Sequence, residues 1–492
     1  MEDKHAHARM LLANSDISVP SSFFGDSLND LKNVMQSDPR LAESYRNASG
    51  PRPRITQFLA GAPAQMARYR NAPEAAKAVL DAAIDLRRFG HSPSIPINLL
   101  ADMAAITMDF DVFNRLKEGW FEGSLGYLLP SCKGASGPLI QVRRQPASGG
   151  RGNPPFQLSD YLEQVGREAR QSFFPPPSFM VVALKNITKV EDLRAIGNFL
   201  VHAGRVFSGA QLYWRALELG DWESGDELSD LLDYAGDHSG AVKISEIRCQ
   251  GGDPRGSESL AFYLHRNGQE EEAVRVCLEE FDLGNPGPLF KVRDSYEMGE
   301  DLAGYGRLES LILSPRFPDM FLRKFGPGDY SDNSDRFAGD LAERLGLSKV
   351  EAEKLIADEM KEIVPRMNFF TEALNRHIVE IEAATARVKG ALEEYMAEKG
   401  LHGETKALRR RIEACQEAGQ SETAWDLITQ GMNAGIIGVE VLANHLEEFN
   451  QLDSAEAVER LGVDWNFNPV PPWGLGDVRR SCCDILNSAD FS

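Results

Sequence analysis

Beyond Pro73 the apolar positions Ala76, Val79, Leu80, Ala83 and Ile84 recur at three- and four-residue intervals until Gly90 ends the run. That spacing lines one face of a helix, and a proline is tolerated in a first turn, where its missing N–H has no partner to lose. A second helix is expected over Ile97 to Phe113. Punctuation then takes over. Pro130, Gly134, Gly137, Pro138, Gly149, Gly150, Gly152, Pro154, Pro155 and the triplet Pro175-Pro176-Pro177 crowd one stretch, broken by a short helical pattern near Tyr161 to Arg170. Such composition predicts a linker over 129–177. A comparable break over 314–335 carries Pro315, Pro318, Gly326, Pro327 and Gly328.

Between the breaks one pattern recurs: a helix closed near glycine, a short polar turn, then alanine early in the next helix. Ile196 to Gly204 leads to Ala210, Leu228 to Gly236 leads through Asp237 to Ala241, and Leu260 to Gly268 leads through Gln269 to Ala273. The three alanines stand 31 and 32 residues apart. Past the second break Gly419-Gln420 leads to Ala424 and Asn450-Gln451 to Ala455, again 31 residues apart. A hairpin of that length cannot bury its apolar face alone, so neighbours must stack to share a core.

At these residues the chain resembles the tetratricopeptide repeats and their short-period bacterial relatives. Gly236/Ala241, Gly268/Ala273 and Gly419/Ala424 keep the five-residue spacing of that family. Glycine permits the left-handed turn, and alanine lets the second helix approach closely. Gly197, Ser229 and Ala261 supply the small residue seven positions before each turn glycine, beside Ile196, Leu228 and Leu260 and ahead of Leu200, Leu232 and Leu264. Departures are the extra residue between Gly204 and Ala210, Ile412 in place of a small residue, Asn450 in place of the turn glycine, and a short period. The likeness covers 190–285 and, more loosely, 404–464.

The resemblance implies an all-α fold: stacked hairpins forming an α-solenoid, here with a smaller N-terminal helical region and a long-helix insertion. It also implies a protein or peptide partner in the groove lined by each first helix. Carried across, the groove positions are Asn198, Val201 and His202, then Asp230, Asp233 and Tyr234, then Phe262, His265 and Arg266. Their acids and aromatics suit a basic or amphipathic segment. The expected organisation is a helical region with a weakly ordered leader (1–128), the linker (129–177), a first repeat block (178–313), the break (314–335), a long-helix segment (336–403), a second block (404–470) and a tail (471–492).

Within the long-helix segment, Leu341 to Ser348 with Gly346, Ala352 and Leu355 resembles a helix-turn-helix, which makes a DNA-binding regulator the competing reading. Its second helix, however, carries Glu351 and Glu353 where phosphates would lie. Further on, Leu374, Ile378, Ile381, Thr385, Val388, Leu392 and Tyr395 alternate four- and three-residue steps, predicting a long helix from Asn368 to Lys399.

Charge sharpens the partner expectation. Lysine and arginine total 53 against 74 acids, a net charge of −21. Up to Ser178 there are 20 basic and 18 acidic residues, whereas 33 and 56 follow. An acidic repeat region repels phosphate backbones, so nucleic acid is not the expected partner. The leader's Arg40, Arg46, Arg52, Arg54, Arg68 and Arg70 are mixed with acids and read as a solvated arm. No apolar passage is long enough to cross a membrane or form a signal-peptide core, and six cysteines without Cys-x-x-Cys spacing fit a reducing compartment, so the expected location is cytoplasmic. Cys482 and Cys483 are expected as a surface pair near a frayed end. Asp329, Ser331, Asn333, Asp335 and Asp340 have calcium-loop spacing, but Ser334 stands where the loop needs glycine. No phosphate loop, nucleophile elbow or zinc-ligand motif occurs, so neither catalytic residues, cofactor nor metal is expected.

Overall fold

In a computed structural model of the chain, the described residues are 62–132, 136–142, 153–171, 173–298, 302–313, 342–343, 346–399, 401–434, 436–449 and 451–488, with Leu31, Val34, Leu41 and Tyr45. The calcium-like spacing, the break at 314–335 and almost all of the leader before Ala62 lie outside them. The chain is predominantly helical and divides into two compact units, Met1–Thr188 and Lys189–Ser492.

The first unit is built around one helix. Its elements are α1 (Ala62–Arg70), α2 (Glu74–Arg88), α3 (Ile97–Thr107), α4 (Phe110–Asn114), α5 (Trp120–Leu128), strands β1 (Leu139–Gln141) and β2 (Phe156–Leu158), α6 (Asp160–Ala169) and α7 (Phe179–Asn186). The predicted stripe of α2 is buried and packs against α3, α5 and α6. The helix expected from Ile97 to Phe113 divides at Met108, because the Asp109 carboxylate accepts from the amides of Asp111 and Val112 and starts a new helix.

The stretch 129–177 is not a linker over its described part. β1 and β2 pair antiparallel, Leu139 opposite Leu158, and Leu139, Phe156, Leu158 and Leu162 are buried. Arg170 closes on Asp85, wholly buried on α2, at 2.5 Å, and Arg87 pairs with Glu163 at 2.8 Å. Strands of three residues are too short for alternation to register in sequence, and the prolines around them drew the opposite reading.

In the second unit α8 (Val190–His202), α9 (Val206–Glu218), α10 (Trp222–Ala235), α11 (His238–Gln250), α12 (Gly256–Arg266), α13 (Glu270–Asp282) and α14 (Gly287–Met298) follow in turn, and each packs on the next. Gly204, Gly220, Gly236, Gly252, Gly268 and Gly284, each 16 residues after the one before, all lie at φ between +74° and +94°. The turn is the same each time. At Gly236, for example, the glycine amide donates to Asp233 O and the next amide, of Asp237, to Leu232 O. Ala210, Ala241 and Ala273 are fully buried, as are Ser229 and Ala261. A Cβ on Gly197 would lie 2.7 Å from the Tyr213 ring, so only glycine admits that contact.

After α15 (Leu302–Leu313) comes α16 (Lys349–Lys399), a single 51-residue helix. It absorbs both the second helix of the helix-turn-helix pattern and the separate long helix expected from Asn368. Gly346 at φ +66° and a reciprocal Ser348–Glu351 cap begin it. Phe369 and Phe370 meet Phe281 and Phe290 at ring separations of 5.1 and 6.1 Å. Then follow α17 (Leu401–Glu417), α18 (Ser421–Asn433), α19 (Val439–Glu448), α20 (Leu452–Leu461) and α21 (Leu475–Asn487).

The expected tail is instead docked. α21 packs on α9 and α11, and α20 on α10. Gln211 Nε2 donates to Ser481 Oγ at 2.6 Å, Val463 N to Gly204 O at 2.8 Å, and Trp473 meets Phe207 at 5.5 Å. Cys482 is buried beneath this contact while Cys483 is exposed, so the two are not a surface pair. The end of the second block thus rests directly on the first hairpins. No local pattern could announce it, since Gln211 and Ser481 are 270 residues apart.

Candidate partner-binding surfaces

Successive first helices of the first block are tied side to side. Asp226, Asp230 and Asp233 on α10 accept from Ser259 Oγ, Tyr263 OH and Arg266 Nη2 on α12, at 3.1, 2.5 and 3.0 Å, each pair 33 residues apart. A hydrogen-bond ladder with a constant offset follows from placing equivalent helix faces beside each other. Behind it Arg248, wholly buried on α11, reaches Asp226 at 2.6 Å and Asp253 at 2.7 Å.

The nine expected groove residues therefore divide. Asp230, Asp233 and Arg266 belong to the ladder, and Asp233 also meets His238 Nδ1 at 2.6 Å. Asn198 accepts from Tyr213 OH at 2.7 Å within its own hairpin, and Val201 abuts Gly209 on α9, inside the hairpin contact. His265 bonds Glu270 at 2.8 Å and lies 4.4 Å from the Tyr296 ring. Phe262 lies under the Lys291 ammonium, 5.2 Å away. His202 is exposed, and so is Tyr234, at 56%.

Acids crowd this face. Burial, with Asp230 and Asp226 close by, raises the Glu227 carboxyl above its ordinary value. Burial likewise raises Asp230, against the lowering effect of its Tyr263 bond, and Glu258, against Arg255 and Lys291. Desolvation and, secondarily, neighbouring acids thus both raise these carboxyls, and a cation placed beside them would act in the opposite direction.

Among the described residues, clefts open on the second unit. One, of about 480 Å³, lies between Glu258, the start of α14 and the Ala373–Ile381 stretch of α16, with His377 stacked on Phe290 at 4.6 Å. Another, of about 610 Å³, is walled by Trp425 on α18, His445 on α19, Phe449 and the Phe467 loop. Sequence reading missed both. The visible signal for the second was Trp425, His445 and Phe449, but only the α18–α19 turn and a loop from beyond α20 bring them together. Among the described residues, no group of three or more His, Cys, Asp or Glu is placed to hold a metal ion, and no helix is long and apolar enough to cross a membrane.

Compared with protein-family models, curated proteins and solved structures, the chain matches none.

Proposed function

We propose that this chain is a non-catalytic scaffold: a tetratricopeptide-like α-solenoid that holds a basic or amphipathic protein segment along the first helices of its first block. The grouping of Glu227, Asp230 and Glu258 carries this reading, because each carboxyl is shifted towards protonation, chiefly by desolvation, with neighbouring acids adding to it. Arriving lysine or arginine side chains lower these raised values and gain attraction at once. Constant-offset bonding between α10 and α12 supports the solenoid part of the reading, since it is the relation that stacking of equivalent hairpins produces.

Asp230 and Asp233 are unsuitable test positions because they join helices. Glu227→Lys combined with Tyr234→Ala changes the exposed face and leaves the ladder intact. Capture from a lysate of the native source is expected to lose its partner with this variant while circular dichroism stays unchanged. Retention of the same proteins by the folded variant overturns the reading.

A further inference from the structure

The cleft of the second block has the chemistry of a cation receptor. Glu422, Trp425 and Asp426 share one face of α18. His445 continues the aromatic wall, 6.3 Å from Trp425 and 4.9 Å from Phe449, with the rings tilted by 49° and 58°. Burial lowers the His445 pKa, which favours the uncharged imidazole and so weakens any repulsion of a cation. Neither Glu422 nor Asp426 has an ion-pair partner among the described residues.

Phe467 also lines the cleft, held at φ +62°, a left-handed conformation that is strained for a bulky residue. The surroundings enforce it. Asp464 accepts from Asn466 N at 2.8 Å and Asn468 N at 2.9 Å, and the Arg205 guanidinium lies 4.0 Å from the Phe467 ring centre. One cation is thus already stacked on this aromatic group, supplied from the first hairpin. Strain that the fold maintains at the mouth of a cleft marks a place shaped for contact.

We propose that this cleft binds the cationic head of an arginine or lysine side chain carried by a partner polypeptide. Aromatic faces attract the charge through their quadrupoles, and the two carboxylates supply directional acceptors. An anion would meet Glu422 and Asp426, and a purely apolar group would desolvate them without return. The source of the side chain rests on the partner-binding reading, but the cleft lies on the second block and not on the α10–α12 face.

The test uses the full chain labelled with 5-fluorotryptophan, with the Trp425 resonance assigned by Trp425→Phe, and N-acetyl-arginine amide as probe. Saturable movement of that resonance is expected, at least about tenfold weaker with the neutral isostere N-acetyl-citrulline amide. Phe449→Ala, at a side chain 45% exposed, and the double variant Glu422→Gln, Asp426→Asn are each expected to weaken binding about tenfold. A Trp425 resonance that stays still, or that moves equally with citrulline, overturns the proposal. Glu227→Lys with Tyr234→Ala should leave this response intact. Partner capture that depends on those two residues, with Trp425 silent, sinks the cleft alone; a responding Trp425 with unaltered capture sinks the groove alone.

Discussion

The two hairpin blocks share a turn and differ in what lies between their helices. Gly236 and Gly419, at φ +92° and +69°, close α10 and α17 with the same pair of backbone bonds, and buried Ala241 and Ala424 open the helices that follow. Seven residues beyond those alanines the blocks part. The first has Arg248, a buried guanidinium holding Asp226 and Asp253; the second has Gly431, against which Leu408 and Ile437 close tightly. The first block adds a buried guanidinium to its polar ladder. The second, whose first helices are also bridged by Arg409–Glu440 and Gln416–His445, packs apolar side chains at that position and leaves an aromatic cleft open. A repeat therefore dictates how a hairpin turns, and leaves the material between hairpins free to specialise.

The contrast is broken most forcefully at Arg248. Arg248→Ala leaves Asp253, 4% exposed, without its guanidinium, and should cost about 3–5 kcal/mol in urea unfolding of the second unit. A loss under about 1 kcal/mol would show that the buried charges do not hold the first block together.

The shared turn is tested next. Gly236→Ala and Gly419→Ala should each cost roughly 1–2 kcal/mol, because both force a Cβ into the left-handed region. At Gly419 the new methyl meets nothing within 4 Å, whereas at Gly236 it meets Arg460 Nη2 at 2.9 Å. Any excess at Gly236 thus measures how far α20, docked from the second block, supports the first.

The smallest effect is electrostatic. Glu227, Asp230 and Glu258 have raised pKa values in the fold, so the folded chain holds protons the unfolded chain has released. Their contribution to stability is complete below the ordinary carboxylate pKa of about 4 and is lost as pH rises through the raised values. Glu227→Gln should flatten that decline and add a few tenths of a kcal/mol at pH 7. A decline equally steep in the variant would remove Glu227 from the acidic cluster.

Much of the helical layout was legible because its signals are local. The α2 stripe, the turn glycines and the small residues at helix contacts act within one or two turns of the chain. The 16-residue interval from Gly204 to Gly284 is also present in the sequence, though only every second glycine falls at the turn inside a tetratricopeptide-like hairpin. The partner-facing residues were harder. Polar side chains at equivalent positions on successive helices look the same whether they face solvent or each other, and Asp230, Asp233 and Arg266 turned out to face each other.

By itself the sequence determined where the repeat hairpins turn, which residues are small enough for close contact, and that acids gather in the second unit. Tertiary structure alone decided that 129–177 folds, that α21 returns to α9, and that Trp425, His445 and Phe449 line one cleft with Phe467. The division has a physical cause. A helix is set by interactions three or four residues apart, whereas a cleft is set by which distant surfaces bury the most area together, a choice made by the whole chain.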